Sequence, residues 1–341
     1  MADEPPFTEW TSVPGSRSGA LRLAAVGGGI VLYRAATAAV SPEIAHTTGF
    51  DCQTVLSPTA VGGSPGTVPE IAIPQILPTS PDFDIVALDG GAAVATEWFG
   101  GALNALQVGT ASGGGFSVRD SYAGIIDYQH PRFLRGGGIS PGRFVSAIVY
   151  ESRLVAIDKT VKDPKTGGPY VALTGPDDRV VDGVILCAGT TQTNGILPSL
   201  GSLELLYRLD GDGVAPSPAG DFAGTLFIRS AAGSDKNPPQ MLLESNGTYA
   251  FDADEQDGTL LIVAATTKGP QLLAYDLAAA AAKPIAWPPG YPSSGTWIAS
   301  PTVLAVAGAP GQKLVSFAFY EGTGSAVSGV RYGQVDLAQV R

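Results

Sequence analysis

The chain has 341 residues, is 44% hydrophobic and only 15% charged, and carries a formal charge of -11 with no stretch that concentrates its 20 Lys and Arg. Without a basic track to neutralise phosphates, nucleic acid is excluded as an expected partner, and a surface rich in Ser, Thr, Gly, Ala and Pro favours a glycan, a protein surface or a small organic molecule. No run reaches the length of a membrane span, and Met1-Ala-Asp-Glu-Pro-Pro6 has neither a basic n-region nor an apolar h-region; the expectation is a soluble protein, either cytoplasmic or secreted with its signal peptide removed.

In chain order, apolar runs of strand length predict strands over 21–26 and 30–36, joined through the glycine run of Ala24-Ala-Val-Gly-Gly-Gly-Ile-Val-Leu32. That run resembles the opening strand and turn of flavin enzymes, but Leu32 stands where a dinucleotide site needs its third glycine, and no βαβ pattern follows. A hairpin turn is the expectation. Residues 38–80 are rich in Pro, Gly, Ser and Thr with little strand signal beyond Glu70-Ile-Ala-Ile73, and read as an irregular insertion or a poorly marked blade. Further strands are expected over 83–89, 92–99, 103–108, 143–150, 153–159, 170–174, 179–188, 203–209, 224–230 and 240–244, then over 248–252, 259–265, 271–276, 296–306, 313–320 and 328–336. Asp276-Leu-Ala-Ala-Ala-Ala-Ala-Lys283 is the best local helix signal, stopped by Pro284 after one or two turns.

Such a train of short strands, with 45 Gly and 27 Pro between them, predicts an all-β chain built as a single β-propeller over 1–341 with four-stranded antiparallel blades. Several runs close on an aspartate, as at Asp89, Asp158, Asp210, Asp276 and Asp336, at intervals of about 50 to 70 residues, longer than kelch or WD40 periods. Six blades fit best, within a range of five to seven. The strand at 330–337 runs almost to the carboxyl end, so the amino-terminal segment is expected to pair beside it and cover its edge. Of the two cysteines, Cys187 lies in an apolar run and reads as a small core residue, with pairing to Cys52 left open.

No nucleophile elbow, Walker loop or zinc spacing is present, and Ser146 and Ser316 sit in apolar strands without a histidine nearby in sequence. With only His46 and His130, a three-histidine zinc site cannot form. The catalytic candidates are Glu97, Asp127, His130 and Glu321. Asp127-Tyr-Gln-His-Pro-Arg132 gathers a carboxylate, a phenol, an imidazole and a guanidinium, from which Asp127 and His130 could form an acid–base pair or simply a hydrogen-bonded turn. Glu97 beside Trp98 and Glu321 beside Tyr320 end apolar strands, where an adjacent ring can raise a carboxyl pKa.

Trp287, Tyr291 and Trp297, in a proline-stiffened segment, offer flat faces for a sugar or peptide, or fold back onto the blades; Trp98 and Tyr320 are counted with them as ligand-binding candidates. Two acidic loops have the oxygen donors of a calcium site: Asp210 and Asp212, with Asp221 beyond, and Asp252, Asp254 and Asp257. Calcium is the one cofactor considered, against solvated turns. Two functions remain. The leading one is a non-catalytic propeller that presents a loop face or central pocket to a glycan or protein; the other is a hydrolase, lyase, isomerase or cyclase that acts on a small organic substrate with carboxylates and aromatics, a reading that rests on fold analogy.

Overall fold

The computed structural model describes residues 6–14, 19–76, 82–100, 103–123, 129–136, 141–149, 152–158, 170–175, 178–188, 202–211, 214–230 and 238–340. The amino-terminal strand β1 (Phe7–Val13) precedes the first sheet, formed by β2 (Leu21–Val26), β3 (Gly29–Ala39), β4 (Cys52–Gly63) and β5 (Ile71–Gln75), with helix α1 (Pro42–Thr48) between β3 and β4. The second sheet is β6 (Phe83–Leu88), β7 (Gly91–Gly100), β8 (Leu103–Ser112) and β9 (Gly115–Ala123). The third starts with β10 (Gln129–Phe133); β11 (Arg135–Gly136) leaves it, and β12 (Val145–Val149), β13 (Arg153–Ile157) and β14 (Tyr170–Ala172) complete it.

A nine-stranded sheet follows, with β15 (Val180–Ala188), β16 (Ser202–Asp210), β17 (Gly224–Ser230), β18 (Gln240–Met241), β19 (Thr248–Gln256), β20 (Thr259–Thr266), β21 (Gly269–Asp276) and β22 (Ala281–Pro284) joined by β11, which runs parallel to β15. The last sheet is β23 (Thr296–Ala305), β24 (Leu314–Thr323) and β25 (Ala326–Asp336), completed by β1 against β25. The four four-stranded sheets are antiparallel throughout. Consecutive antiparallel meanders, with an amino-terminal strand finishing the last one, are the strand organisation of an all-β β-propeller. The expected pairing of the amino-terminal segment beside 330–337 is present, with Trp10 opposite Gly333, so β25 keeps no open edge along β1.

The chain divides into two compact units. One comprises Ser18–Leu134 and Ser140–Ile185, the other Met1–Arg17, Arg135–Ile139 and Leu186–Arg341. In the first, the leading strands of its three sheets touch in turn, β2 on β6 and β6 on β10. One core cluster joins the first two sheets through Leu56, Ile73, Phe83 and Val94, and another joins the second and third through Leu106, Phe133, Val145 and Ile157. In the second unit Leu261, Val263 and Leu272 pack on Val303, Phe317 and Val335. Strands such as β20 are buried along nearly their whole length, which is why they read as continuous apolar runs rather than clean alternations.

Two expectations change, and a third, the hairpin at the glycine run, holds. Residues 38–80 contain the end of β3, helix α1, β4 and β5, the outer half of the first sheet. Their strand signal is weak because β5 covers only Cys52–Leu56 of β4; the remainder of β4 has an uncovered side, where Pro58 forfeits no ladder bond. The alanine run makes no helix. Asp276 accepts the N–H groups of Ala278 and Ala279 at 2.9 Å, Ala280 turns left-handed at φ 50°, and the chain then pairs with β21 as β22; a short helix is marginal and gives way to a local turn plus sheet pairing. The glycine run is a hairpin turn, with Gly27 and Gly28 at φ 55° and 84° between β2 and β3.

No disulfide joins Cys52 and Cys187, and both thiols are buried. Among the described residues no helix is long and apolar enough to cross a membrane.

Separate sheets share no ladder hydrogen bonds, so carboxylates tie them together. Asp84 on β6 accepts the N–H of Phe133 on β10 at 2.7 Å, and on β19 Asp252 and Asp254 accept those of Val303 and Ala305 on β23 at 2.7 and 2.8 Å. Asp84→Ala leaves a buried N–H unpaired and removes the carboxylate 3.7 Å from the buried Arg22 guanidinium, so it is expected to cost about 3 kcal/mol in chemical denaturation, with Asp84→Asn costing less. Equal stability of Asp84→Ala and wild type would show that the tie carries no weight.

Candidate functional site

The β6–β7 hairpin builds the site. Its turn is Asp89–Gly90, and the register set there pairs Leu88 with Gly91 and Phe83 with Thr96, which brings Asp82 and Glu97 face to face at the open end. The Glu97 N–H donates to the Asp82 carbonyl at 3.2 Å. Two directly opposed carboxylates repel, and three residues from neighbouring leading strands relieve them. From β2, Arg22 Nη2 donates to Asp82 Oδ1 at 2.7 Å; from β10, Arg132 Nη1 donates to Asp82 Oδ2 at 2.9 Å, and His130 Nδ1 lies 3.1 Å from the same oxygen.

His130 is also held by its backbone. It adopts φ 51° immediately before Pro131, a strained conformation for a non-glycine residue that costs on the order of 1–3 kcal/mol. The strain accompanies a break in the β10–β12 register between Gln129 and Arg132. In return, the His130 N–H donates to Glu97 Oε1 at 2.7 Å. The imidazole thus leans on Asp82, the backbone leans on Glu97, and 39% of the His130 side chain is exposed.

The environment separates the two carboxyls. Burial by itself raises the Asp82 pKa, but the charges of Arg132 and Arg22 and the bond to His130 overwhelm it and hold this carboxyl well below the usual range. Burial and the negative charge of Asp82 push Glu97 the other way, up to about 7. Burial pulls His130 down, yet its bond to Asp82 and the charges of Asp182 and Asp82 prevail and leave it raised. Near neutral pH, one carboxylate is held ionised while the adjacent Glu97 carboxyl titrates beside an imidazole whose charged form is favoured, the division of labour found in acid–base sites.

Among the described residues, Asp82, Glu97 and His130 form the one group of three such donors near enough to share a cation, with donor atoms within 4.8 Å of one another. Their partners argue for proton chemistry over metal binding. Both Asp82 oxygens already accept from guanidinium groups, and a cation would have to settle beside Arg22 and Arg132.

Of the residues nominated from sequence, Glu97 and His130 come together, while Asp127 lies outside the described residues. Trp98 belongs to β7, but its side chain is not among those described. Glu321 is in the other unit, where Arg331 grips it at 2.6 and 3.3 Å. Tyr320 is fully buried, and Trp297 is buried with Nε1 donating to the Gly324 carbonyl at 2.8 Å. Trp287 and Tyr291 pack against Trp10, with ring centroids 5.7 and 4.8 Å from it.

The acidic loops divide in the same way. Asp252 and Asp254 are buried and spend oxygens on the backbone of β23, Asp252 also accepting from Arg135 at 3.1 Å. Burial pushes Asp254 up to about 6 despite Arg135. Asp257 is exposed in the β19–β20 turn, Asp210 is exposed at the end of β16, Asp221 follows a turn closed by Ser217, and Asp212 lies outside the described residues.

Sequence reasoning missed Asp82, Arg22 and, as a partner of the site, Arg132. Asp82 had a usable signal: counting outward from the Asp89–Gly90 turn sets it against Glu97. Arg22 had none, because it meets Asp82 only through the contact of β2 with β6.

No protein-family model matches the chain, and no curated protein matches it in sequence. Solved structures match at low identity. Prolyl oligopeptidase B from Galerina marginata does so at 13% identity and TM-score 0.37, over 87% of this chain and 38% of that one, so the chain spans well under half of that enzyme. An α-L-arabinofuranosidase from Podospora anserina in complex with cellotriose matches at 12% and 0.42, over 75% and 89%. The polysaccharide lyase Uly1 matches at 9% and 0.46, over 93% and 77%. None of these likenesses assigns an activity here.

The raised pKa of Glu97 has a direct consequence for stability. Its folded value of about 7 exceeds its ordinary value of 4.5, so its contribution is full below pH 4.5 and is lost as the pH climbs through 7. Denaturation midpoints between pH 5 and pH 8 should therefore fall more steeply for wild type than for Glu97→Gln. Parallel profiles would contradict the assignment.

Proposed function

We propose that the chain is a six-bladed β-propeller enzyme that carries out proton-transfer chemistry, a hydrolysis, elimination or isomerisation, on a small polar organic substrate at Asp82, Glu97 and His130. The blade count follows if the nine-stranded sheet is two meanders, β15–β18 and β19–β22, beside the four separate sheets. In favour of that division, β17 and β19 pair at a single position, Gly224 with Thr248.

The observation that carries the function is the placement of a half-exposed imidazole between an ionised and a titrating carboxyl. Asp82 fixes the ring through Nδ1 and favours the imidazolium, so His130 Nε2 is the proton donor to a leaving or developing oxygen. Glu97, titrating near neutrality beside it, is the proton acceptor once ionised. Arg22 and Arg132 hold Asp82 in place and keep it charged; they are positioning residues.

The alternative is a non-catalytic module that binds a glycan or protein through its aromatic residues. Against it stands the packing of Trp287, Tyr291, Trp297 and Tyr320, whose rings are largely taken up by the protein's own interior.

A panel of chromogenic glycosides and esters, together with polysaccharides assayed for unsaturated products, tests the proposal. On any substrate turned over, His130→Gln and Glu97→Gln should each lower kcat/KM about 10²–10⁴-fold, and Glu97→Gln should erase the limb of the pH–rate profile near 7. Wild-type rates in both variants would place the chemistry elsewhere. A ligand bound at these residues without turnover across the panel would return the site to the binding role.

A further inference from the structure

The unit containing β19–β25 has a cavity of about 630 Å³ that the acid–base reading does not use. Its volume lies within the range of small-ligand sites, about 300–1,000 Å³. One wall is the β20–β21 turn from Thr266 to Gly269, another is the segment from Pro292 to Trp297 leading into β23, and Ser217 and Tyr249 complete it.

The second wall is preformed. Upstream, Trp287 and Tyr291 are locked into the cluster around Trp10, and Trp287 Nε1 donates to the Pro270 carbonyl at 3.1 Å. Downstream, Trp297 is pinned to Gly324. Between these anchors, the hydroxyls of Ser293 and Thr296 lie 2.9 Å apart, and the Thr296 N–H donates to the Ser293 carbonyl at 3.1 Å. The aromatic–proline segment is therefore a support. Its rings face inward so that its polar tip is held rigidly against the cavity, which lowers the entropy cost of binding.

The chemistry of the lining narrows the ligand. Hydroxyls come from Ser217, Thr266, Thr267, Ser293, Ser294 and Thr296; Ser217 accepts two backbone N–H groups, Thr266 donates to the Gly269 carbonyl, Thr267 donates to Glu244 and Ser293 pairs with Thr296, so each of these offers a ligand its remaining donor or lone pair. Lys268, the one charged residue of the lining, is neutralised by Glu244 at 2.5 Å. Tyr249 adds aromatic surface, while the Trp297 ring is buried behind the wall. A net-neutral lining dense in hydroxyls with aromatic carbon between them suits a neutral polyhydroxylated molecule better than an anion, a cation or a purely apolar one.

We propose that this cavity binds a short neutral oligosaccharide, its volume falling within the range of small-ligand sites. The proposal stands on residues other than Asp82, Glu97 and His130 and does not depend on their role.

Calorimetric titration of the full chain with cellotriose, xylotriose and maltotriose tests it. At least one should bind, and Ser294→Trp, which fills the cavity from an exposed position, should weaken that binding about tenfold or more, equivalent to about 1.4 kcal/mol. Thr267→Val, on an exposed turn, supplies a second variant that removes a hydroxyl without adding bulk and should also weaken it. The proposal is overturned if none of the three binds, if a proline-rich peptide binds in their place, or if binding survives both cavity variants unchanged.

Discussion

Carboxylates that reach from a strand of one sheet to the backbone of the next are the interaction on which this architecture depends. Packing of apolar faces brings neighbouring sheets together without direction, whereas an N–H at the end of an aspartate has one satisfactory position. The Asp252 tie is the most complete. Its Oδ2 accepts from Val303 N and from Arg135, and the same guanidinium donates to the Val303 carbonyl at 2.7 Å, so both backbone groups of one residue are served by a single ion pair. A buried pair of this kind adds little net stability against an apolar replacement, but removing one member is costly, and that asymmetry makes it a device for register.

The candidate site elaborates the same device. Asp82, just before β6, and Asp84 within it are two residues apart, as Asp252 and Asp254 are on β19, and Asp84 and both β19 aspartates bind backbone of a neighbouring sheet. At Asp82 the partner strand offers His130 and Arg132 side chains instead, and Glu97 adds a second carboxyl opposite. A structural tie becomes chemically interesting there because Glu97 is buried and faces the negative charge of Asp82, which together raise its pKa to about 7. The strain at His130 has the same origin, since its backbone turns away from regular strand geometry to give its N–H to Glu97.

Much of the strand train was legible because fully buried strands appear as apolar runs bounded by Gly and Pro. The failures are physical. Pro58 and the surrounding Ser, Thr and Gly disguise β4, whose far half lacks a neighbour and tolerates them. The alanine run carries strong helix propensity but is too short to nucleate, and the edge of β21 claims it. In the site, Glu97 and His130 were legible as polar residues at strand ends. Arg22 was not, because its separation of 60 positions from Asp82 is closed only by packing of two sheets.

Taken alone, the sequence determined the all-β class and the hairpin turn at the glycine run, since each depends on residues adjacent or nearly adjacent along the backbone. Only the tertiary structure decided which carboxyl is held ionised and which aromatic rings are spent on the interior. Those outcomes depend on burial and on charges delivered by other sheets, and neither quantity is encoded at any single position of the chain.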